Sequence, residues 1–337
     1  MRTPHLEKIK AALSNPLSLE DQDVLNEILK SYYSWIKSME ELKSEGSERI
    51  KDMVRLLNNY KDMVEVALIM ERGSNFLKRQ KGQLKLDNSI LEEFLIRLMS
   101  EEILPELKGV EFVTGPQQAF MSLAFLPRDF MELSEKPAVK LKTKDQDFTL
   151  GKEIYYKFSS KPDFAKNVTS EGKLILAVLA AECKINLDKT MFQEASGTAA
   201  RLKQGVPYAK YYILVEFLDM QPEDTRLTDI DNVFLLRHAK RLPFEKRSNL
   251  EALRKQRLDN PIDSMVIEMF LNELRAFLQV KWYDPESANI LFNRNLYLVL
   301  VIPSDLLQAD IVFQVSNLFF NFNRFGIAII KLIAEEI

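Results

Sequence analysis

Residues 172–205 read GKLILAVLAAECKINLDKTMFQEASGTAARLKQG, and the fold turns on how this stretch is read. Leu174 to Ala181 is almost wholly apolar, the pattern of a strand covered on both faces in an α/β domain. Successive strand side chains point to opposite faces, so Glu182 and Lys184 project together while Cys183 turns toward the core. Asp188 then reads as the N-cap of an amphipathic helix from Lys189 to Lys203, which Gly205-Val206-Pro207 ends. Charge at the end of a buried strand, followed at once by a helix, predicts a functional site.

Upstream, residues 159–164 read SSKPDF and follow the strand-like run Glu153 to Phe158. The gap from Asp163 to Glu182 suits a turn and a return strand, which predicts that the two carboxylates meet beside Lys184. Asp145 and Asp147 compete for the role of upstream acid, but Pro162 and the spacing favour Asp163. Two adjacent carboxylates both stay ionised when a cation lies between them, and hard oxygen donors favour Mg²⁺. The chemistry expected is metal-assisted hydrolysis of a phosphodiester.

In this order Pro162, Asp163, Glu182 and Lys184 resemble the motif of the PD-(D/E)XK nucleases. The longer string ECKINLDKTMFQEA, Glu182 to Ala195, is similar more narrowly to subunits of type II restriction endonucleases that work as two non-identical chains on a short asymmetric site. The resemblance spans Phe112 to Val233 and implies a restriction-endonuclease-like α/β fold, a mixed β-sheet core flanked by helices. It implies that Asp163, Glu182 and the Cys183 carbonyl hold Mg²⁺, that Lys184 orients the attacking water and stabilises developing charge, and that Gln193 on the following helix helps position the site. Glu101 and Glu102 either offer the further carboxylate that some similar nucleases place on a preceding helix or, as their place near the helix end favours, are simply solvated. Double-stranded DNA is the partner implied, and cutting both strands requires a homodimer or a heterodimer with a related nuclease subunit. A fold alone does not establish chemistry, so the other reading is a non-catalytic DNA-binding or assembly protein that keeps the architecture.

Composition is compatible with this. The chain has 337 residues, 46% of them hydrophobic and 28% charged, enough for a sizeable core in one large or two smaller domains. A net charge of -3 confines any DNA-binding surface to local patches. The single cysteine excludes an internal disulfide framework. No apolar run approaches the roughly 20 residues of a membrane span, and the N-terminus lacks a signal-peptide core, so a cytoplasmic protein with no membrane partner is expected.

Helical spacing of apolar residues from Leu17 to Met70 predicts a helical N-terminal region over 1–108, with 109–337 forming the nuclease domain and a C-terminal α/β extension. Ser89 and Glu92 suggest a capping box opening a helix from Ser89 to Leu107. Phe112 to Phe125 places Gly115-Pro116 and the pair Gln117-Gln118 among apolar residues, and suits either a covered turn and helix or a lining for DNA or a subunit interface. From Pro137 to Phe148, Lys140, Lys142 and Lys144 alternate on one strand face, as phosphate contacts or as protection of an edge strand. Residues 237–257 carry eight basic side chains against two acidic ones, and Arg237, Lys240, Arg241, Lys246 and Arg247 are expected to contact DNA with Lys140 and Lys142. Strands are expected at Tyr211–Leu218, Asn232–Arg237, Tyr297–Ile302 and Gly326–Ile333, and helices at Pro261–Val280 and Asp310–Phe322.

Overall fold

A computed structural model describes residues 2–78, 86–280 and 282, together with short strands at 298–300, 318–322 and 328–332. Its contacts divide the chain into two units, Met1–Phe277 and Leu278–Ile337.

The first unit opens with helices α1 (Pro4–Leu13), α2 (Gln22–Glu40) and α3 (Gly46–Lys61), the last continuing as a π-helical segment over Asp62–Met70. In α2 the buried side chains are Val24, Leu25, Ile28, Tyr32, Trp35 and Met39, a helical stripe that α3 meets with Ile50, Met53, Val54, Leu57 and Tyr60. Trp35 and Tyr60 stack with ring centroids 4.5 Å apart. A short turn α4 (Asn75–Lys78) precedes α5 (Leu86–Leu98), which is buried on nearly every side and packs against α1 and against the sheet. Ser89 lies within α5, where its hydroxyl donates to the Leu86 carbonyl at 2.7 Å. It is therefore not the expected cap, and the helix starts earlier and ends earlier than its spacing suggested.

His5 ties α1 to this bundle. Its backbone N–H donates to Glu93 at 3.0 Å, and its ring nitrogens pair with Ser89 at 2.9 Å and Tyr60 at 2.8 Å. Burial, reinforced by the nearby charges of Lys61 and Lys8, lowers its pKa to about 3. The imidazole is thus neutral near pH 7 and serves as a hydrogen-bonded bolt.

The sheet holds β1 (Val113–Phe125), β2 (Val139–Ser159), β3 (Thr169–Leu187), β4 (Lys210–Leu218) and β5 (Asn232–Leu235) in that order. The first three strands are antiparallel neighbours, and β3–β4 and β4–β5 are parallel. Phe112 to Phe125 is thus strand rather than turn and helix. Gly115 takes a φ of 93°, open to glycine at little cost, just before the register of β1 on β2 shifts at Gln117. β2 is one uninterrupted strand whose first half pairs with β1 and whose second half pairs with β3. The register slips at Gly151, where a Cβ would collide with the Leu176 carbonyl.

The parallel step from β3 to β4 is made through α6 (Lys189–Gly205), capped by the Asp188 carboxylate, which accepts from the Met191 N–H at 2.8 Å. Phe192, Ala195, Ala199 and Leu202 of α6 lie on one sheet face with Ala177, Ala180, Tyr211, Ile213 and Val215. Helices α7 (Leu250–Asp259) and α8 (Ser264–Gln279) follow β5, and Phe270 of α8 meets Tyr212 and Phe234 edge to face. β4 is consequently buried along almost its whole length, as an apolar parallel strand should be.

A buried ionic cluster joins the helices to the sheet. Glu216 of β4 accepts from Lys61 at 2.9 Å, Arg237 at 2.8 Å and Arg257 at 3.0 Å, and Glu65 pairs with Lys61 and Arg257. Burial alone would raise the Glu216 pKa, but Lys61, Arg257 and Arg237 together hold it well below the carboxylate range.

In the second unit β6 (Leu298–Leu300), β7 (Leu318–Phe322) and β8 (Ala328–Leu332) form a sheet in the order β6-β8-β7. The expected strands near 297–302 and 326–333 fall on β6 and β8. Residues 318–322 are strand where helix was expected, because a short apolar run carries no period that separates the two. Residues 305 and 310–317 lie outside the described residues.

Candidate active site

β2 and β3 bring three charged side chains together where their pairing ends at Phe148–Ala181 and β3 runs on beside β4. Lys184 Nζ lies 3.0 Å from Asp147 Oδ2 and 2.9 Å from Glu182 Oε2. Asp147 sits one residue beyond the Phe148–Ala181 pair, so it flanks the Glu182-Cys183-Lys184 segment directly. The Cys183 N–H donates to Asp147 Oδ2 at 3.0 Å, and the Tyr211 hydroxyl donates to Glu182 Oε1 at 2.8 Å. These second partners fix each carboxylate and leave Glu182 Oε2 facing the ammonium.

The three side chains keep partial access to solvent, at 31% for Asp147, 18% for Glu182 and 26% for Lys184. Burial would lower the Lys184 pKa, but Asp147 and Glu182 outweigh it and raise it, so the group stays an ammonium. Cys183 is fully buried, and burial together with Asp147 and Glu92 pushes its thiol well above the usual pKa. A thiolate nucleophile is thereby disfavoured.

Asp163 does not meet Glu182. It lies exposed in the turn that joins β2 to β3, with its carboxylate near the Ala165 N–H at 3.3 Å. The paired strands run from Ser159–Thr169 at that turn to Phe148–Ala181, so at about 3.3 Å per residue the turn stands on the order of 40 Å from Glu182 along the strand. Pro162 is at the same exposed tip. Asp147, the competing acid, occupies the place expected of Asp163. Gln193 lies on the exposed side of α6, off the face that packs on the sheet.

Glu92, which the sequence reading treated as a helix cap, points from α5 into the same region. It pairs with Lys8 of α1 at 3.3 Å. Burial raises its pKa to about 7, Lys8 works against that rise, and Asp147 adds to it. Glu101 and Glu102 lie exposed beyond the end of α5, and Glu102 pairs with Arg49 at 2.7 Å. Glu92 and Asp147 line one cleft of about 720 Å³ with Arg2, Lys8, Gln117, Gln118 and Gln146.

The donor chemistry fits a small hard cation. Asp147 and Glu182 already converge on one positive charge from two strands, and Mg²⁺ is commonly held by one or two carboxylates plus substrate phosphate oxygens. Among the described residues no group of three or more His, Cys, Asp or Glu side chains could hold a metal ion, so further donors would have to come from backbone, water or substrate.

The basic window divides. Arg237 is fully buried in the Glu216 cluster and donates to the Asn260 carbonyl at 2.9 Å, so it is not a DNA contact. Arg257 is in the same cluster. Lys240 and Lys246 are exposed, while Arg241 and Arg247 lie 3.8 Å and 3.6 Å from Asp219. Lys140, Lys142 and Lys144 are all exposed on β2.

A family model described as Bpu10I restriction endonuclease matches residues 83–293. The chain has no match among curated protein sequences. Among solved structures, a chain of the native BbvCI A2B2 tetramer superposes with a TM-score of 0.62 at 17% identity, covering 84% of this chain and 100% of that one. At that identity the likeness shows the fold. No helix among the described residues is long and apolar enough to cross a membrane.

Proposed function

Because the chain belongs to the Bpu10I restriction endonuclease family, whose model spans well over half of it, we propose that it is a type II restriction endonuclease subunit that hydrolyses DNA phosphodiester bonds at a specific short duplex site, with Mg²⁺ as cofactor. The observation that carries the reading is the cluster of Asp147, Glu182 and Lys184 on the neighbouring strands β2 and β3 of a sheet with this fold.

Asp147 and Glu182 would hold the Mg²⁺, with the Cys183 carbonyl as a third donor. When bound, the cation polarises the scissile phosphate and lowers the pKa of attached water. Lys184, kept protonated between the carboxylates, donates toward the phosphate oxygens and stabilises charge that builds in the transition state. Tyr211 keeps Glu182 from turning away, and the Cys183 N–H does the same for Asp147. The exposed lysines of β2, Lys140 and Lys142, with Lys240, Arg241, Lys246 and Arg247, contact phosphates. One such cluster per chain cuts one strand, so the protein pairs with a copy of itself or with a related subunit to cut both.

The test is to incubate the chain with supercoiled plasmid in Mg²⁺ or in EDTA and to sequence the ends. Open circles, or linear DNA if the chain pairs with its own copy, cut at one sequence in Mg²⁺ and not in EDTA, are expected. DNA binding without nicking at any Mg²⁺ concentration would instead make the chain a non-catalytic DNA-binding subunit.

A further inference from the structure

Next to Asp147 in the chain, Gln146 is 3% exposed, yet its Oε1 has no hydrogen-bond partner. Its Nε2 makes only a 3.4 Å contact to the Lys144 carbonyl. Leaving a buried amide half unsatisfied is costly, and such a group in a native fold requires a reason. The amide lines the cleft that Asp147 and Glu92 also line. Directly across the strand pair stands Gln117, which with Gln118 lines the cleft too. This is the glutamine pair that stood out among the apolar residues of β1, and the cluster of Asp147, Glu182 and Lys184 makes no use of it.

At about 720 Å³ the cleft has the size of a small-molecule site, roughly 300–1,000 Å³. It opens beside the reacting groups. A glutamine amide in such a place matches a nucleobase edge, since its oxygen accepts from an exocyclic amino group and its nitrogen can donate to a ring nitrogen. Phosphate would not satisfy an orphaned acceptor, because both groups accept. A base amino group does.

We propose that Gln146, backed by Gln117, is a specificity-determining residue that receives the exocyclic amino group of a base adjoining the scissile phosphate. The proposal rests on the nuclease reading above and goes beyond it, because it says which part of the DNA enters the cleft and what chemistry recognises it. Adenine, cytosine and, through its minor-groove 2-amino group, guanine carry an exocyclic amino group, and the experiment separates them.

Bound duplexes are selected from a random pool by the wild-type chain and by Gln146→Met, Gln146→Glu and Gln117→Met, with thermal unfolding measured in parallel. The wild type is expected to fix one amino-bearing base (adenine, cytosine or guanine) at one position, and replacing that base with an analogue lacking the amino group is expected to weaken wild-type binding roughly tenfold or more. Gln146→Met should lose the preference at that position alone and become indifferent to the analogue. Gln146→Glu keeps an acceptor and should retain the preference. If Gln146→Met unfolds, Gln117→Met carries the comparison: it should weaken the preference at that position alone, and an unchanged preference in the folded Gln117→Met protein overturns the assignment. An unchanged base preference in folded Gln146→Met, or a uniform loss of affinity at every position, overturns the assignment and leaves the nuclease reading standing. A wild-type chain that binds no DNA overturns both.

Discussion

Changing Glu182 to glutamine is expected to lower Mg²⁺-dependent nicking by at least ~10²–10³-fold, the loss that follows removal of one preorganised charge-stabilising group. The amide preserves the shape of the side chain and its hydrogen bond from Tyr211, and it removes the negative charge that faces Lys184. Folding should therefore change little, and single-turnover nicking should fall while DNA binding persists. Nicking at the parental rate in Glu182→Gln would mean that the cluster on β2 and β3 is not the reacting centre.

The second large effect concerns stability. Glu216→Gln is expected to destabilise the fold by about 3–5 kcal/mol, because removing one partner of a buried ion cluster leaves uncompensated charge in the interior. Lys61 and Arg257 would keep Glu65, Arg257 would keep Asp62 at 3.9 Å, and Arg237 would lose its carboxylate partner. The sign with pH follows from the depressed Glu216 pKa: the stabilisation is present above the ordinary carboxylate value of 4.5 and is lost as the pH falls below it. Urea unfolding measures this directly. A Glu27→Gln control, at the exposed pair with Arg72, should leave the midpoint nearly unmoved. A loss in Glu216→Gln no larger than in that control would show that the cluster contributes nothing net to joining the helices to the sheet.

Much of the architecture was legible in the chain. The apolar run before Glu182, the alternation that puts Glu182 and Lys184 on one face, and the Asp188 cap all have local causes, and each reappears in the fold. The upstream acid was not legible in the same way. Choosing between Asp147 and Asp163 depends on how far β2 runs, and nothing local ends a strand at Asp147 or at Phe158. Because β2 runs unbroken through the Gly151 slip, Asp147 lands beside Cys183 and Asp163 is carried out to the turn. Glu92 was hidden for a related reason. A glutamate three residues after a serine fits a capping box, and only tertiary packing shows that Ser89 is already inside α5 and that Glu92 faces Lys8 and the cleft. Arg237 was misread because charge clustering in sequence does not tell a DNA-facing arginine from one paired inside with Glu216.

The most direct test of the central claim sets Asp147→Asn against Asp163→Asn in the same plasmid-nicking assay, with Glu182→Gln as the inactive reference. Asp147→Asn is predicted to match the reference, and Asp163→Asn, at an exposed turn far along the strand, to nick at the wild-type rate. The reverse pattern, an active Asp147→Asn protein and an inactive but folded Asp163→Asn protein, would contradict the site described.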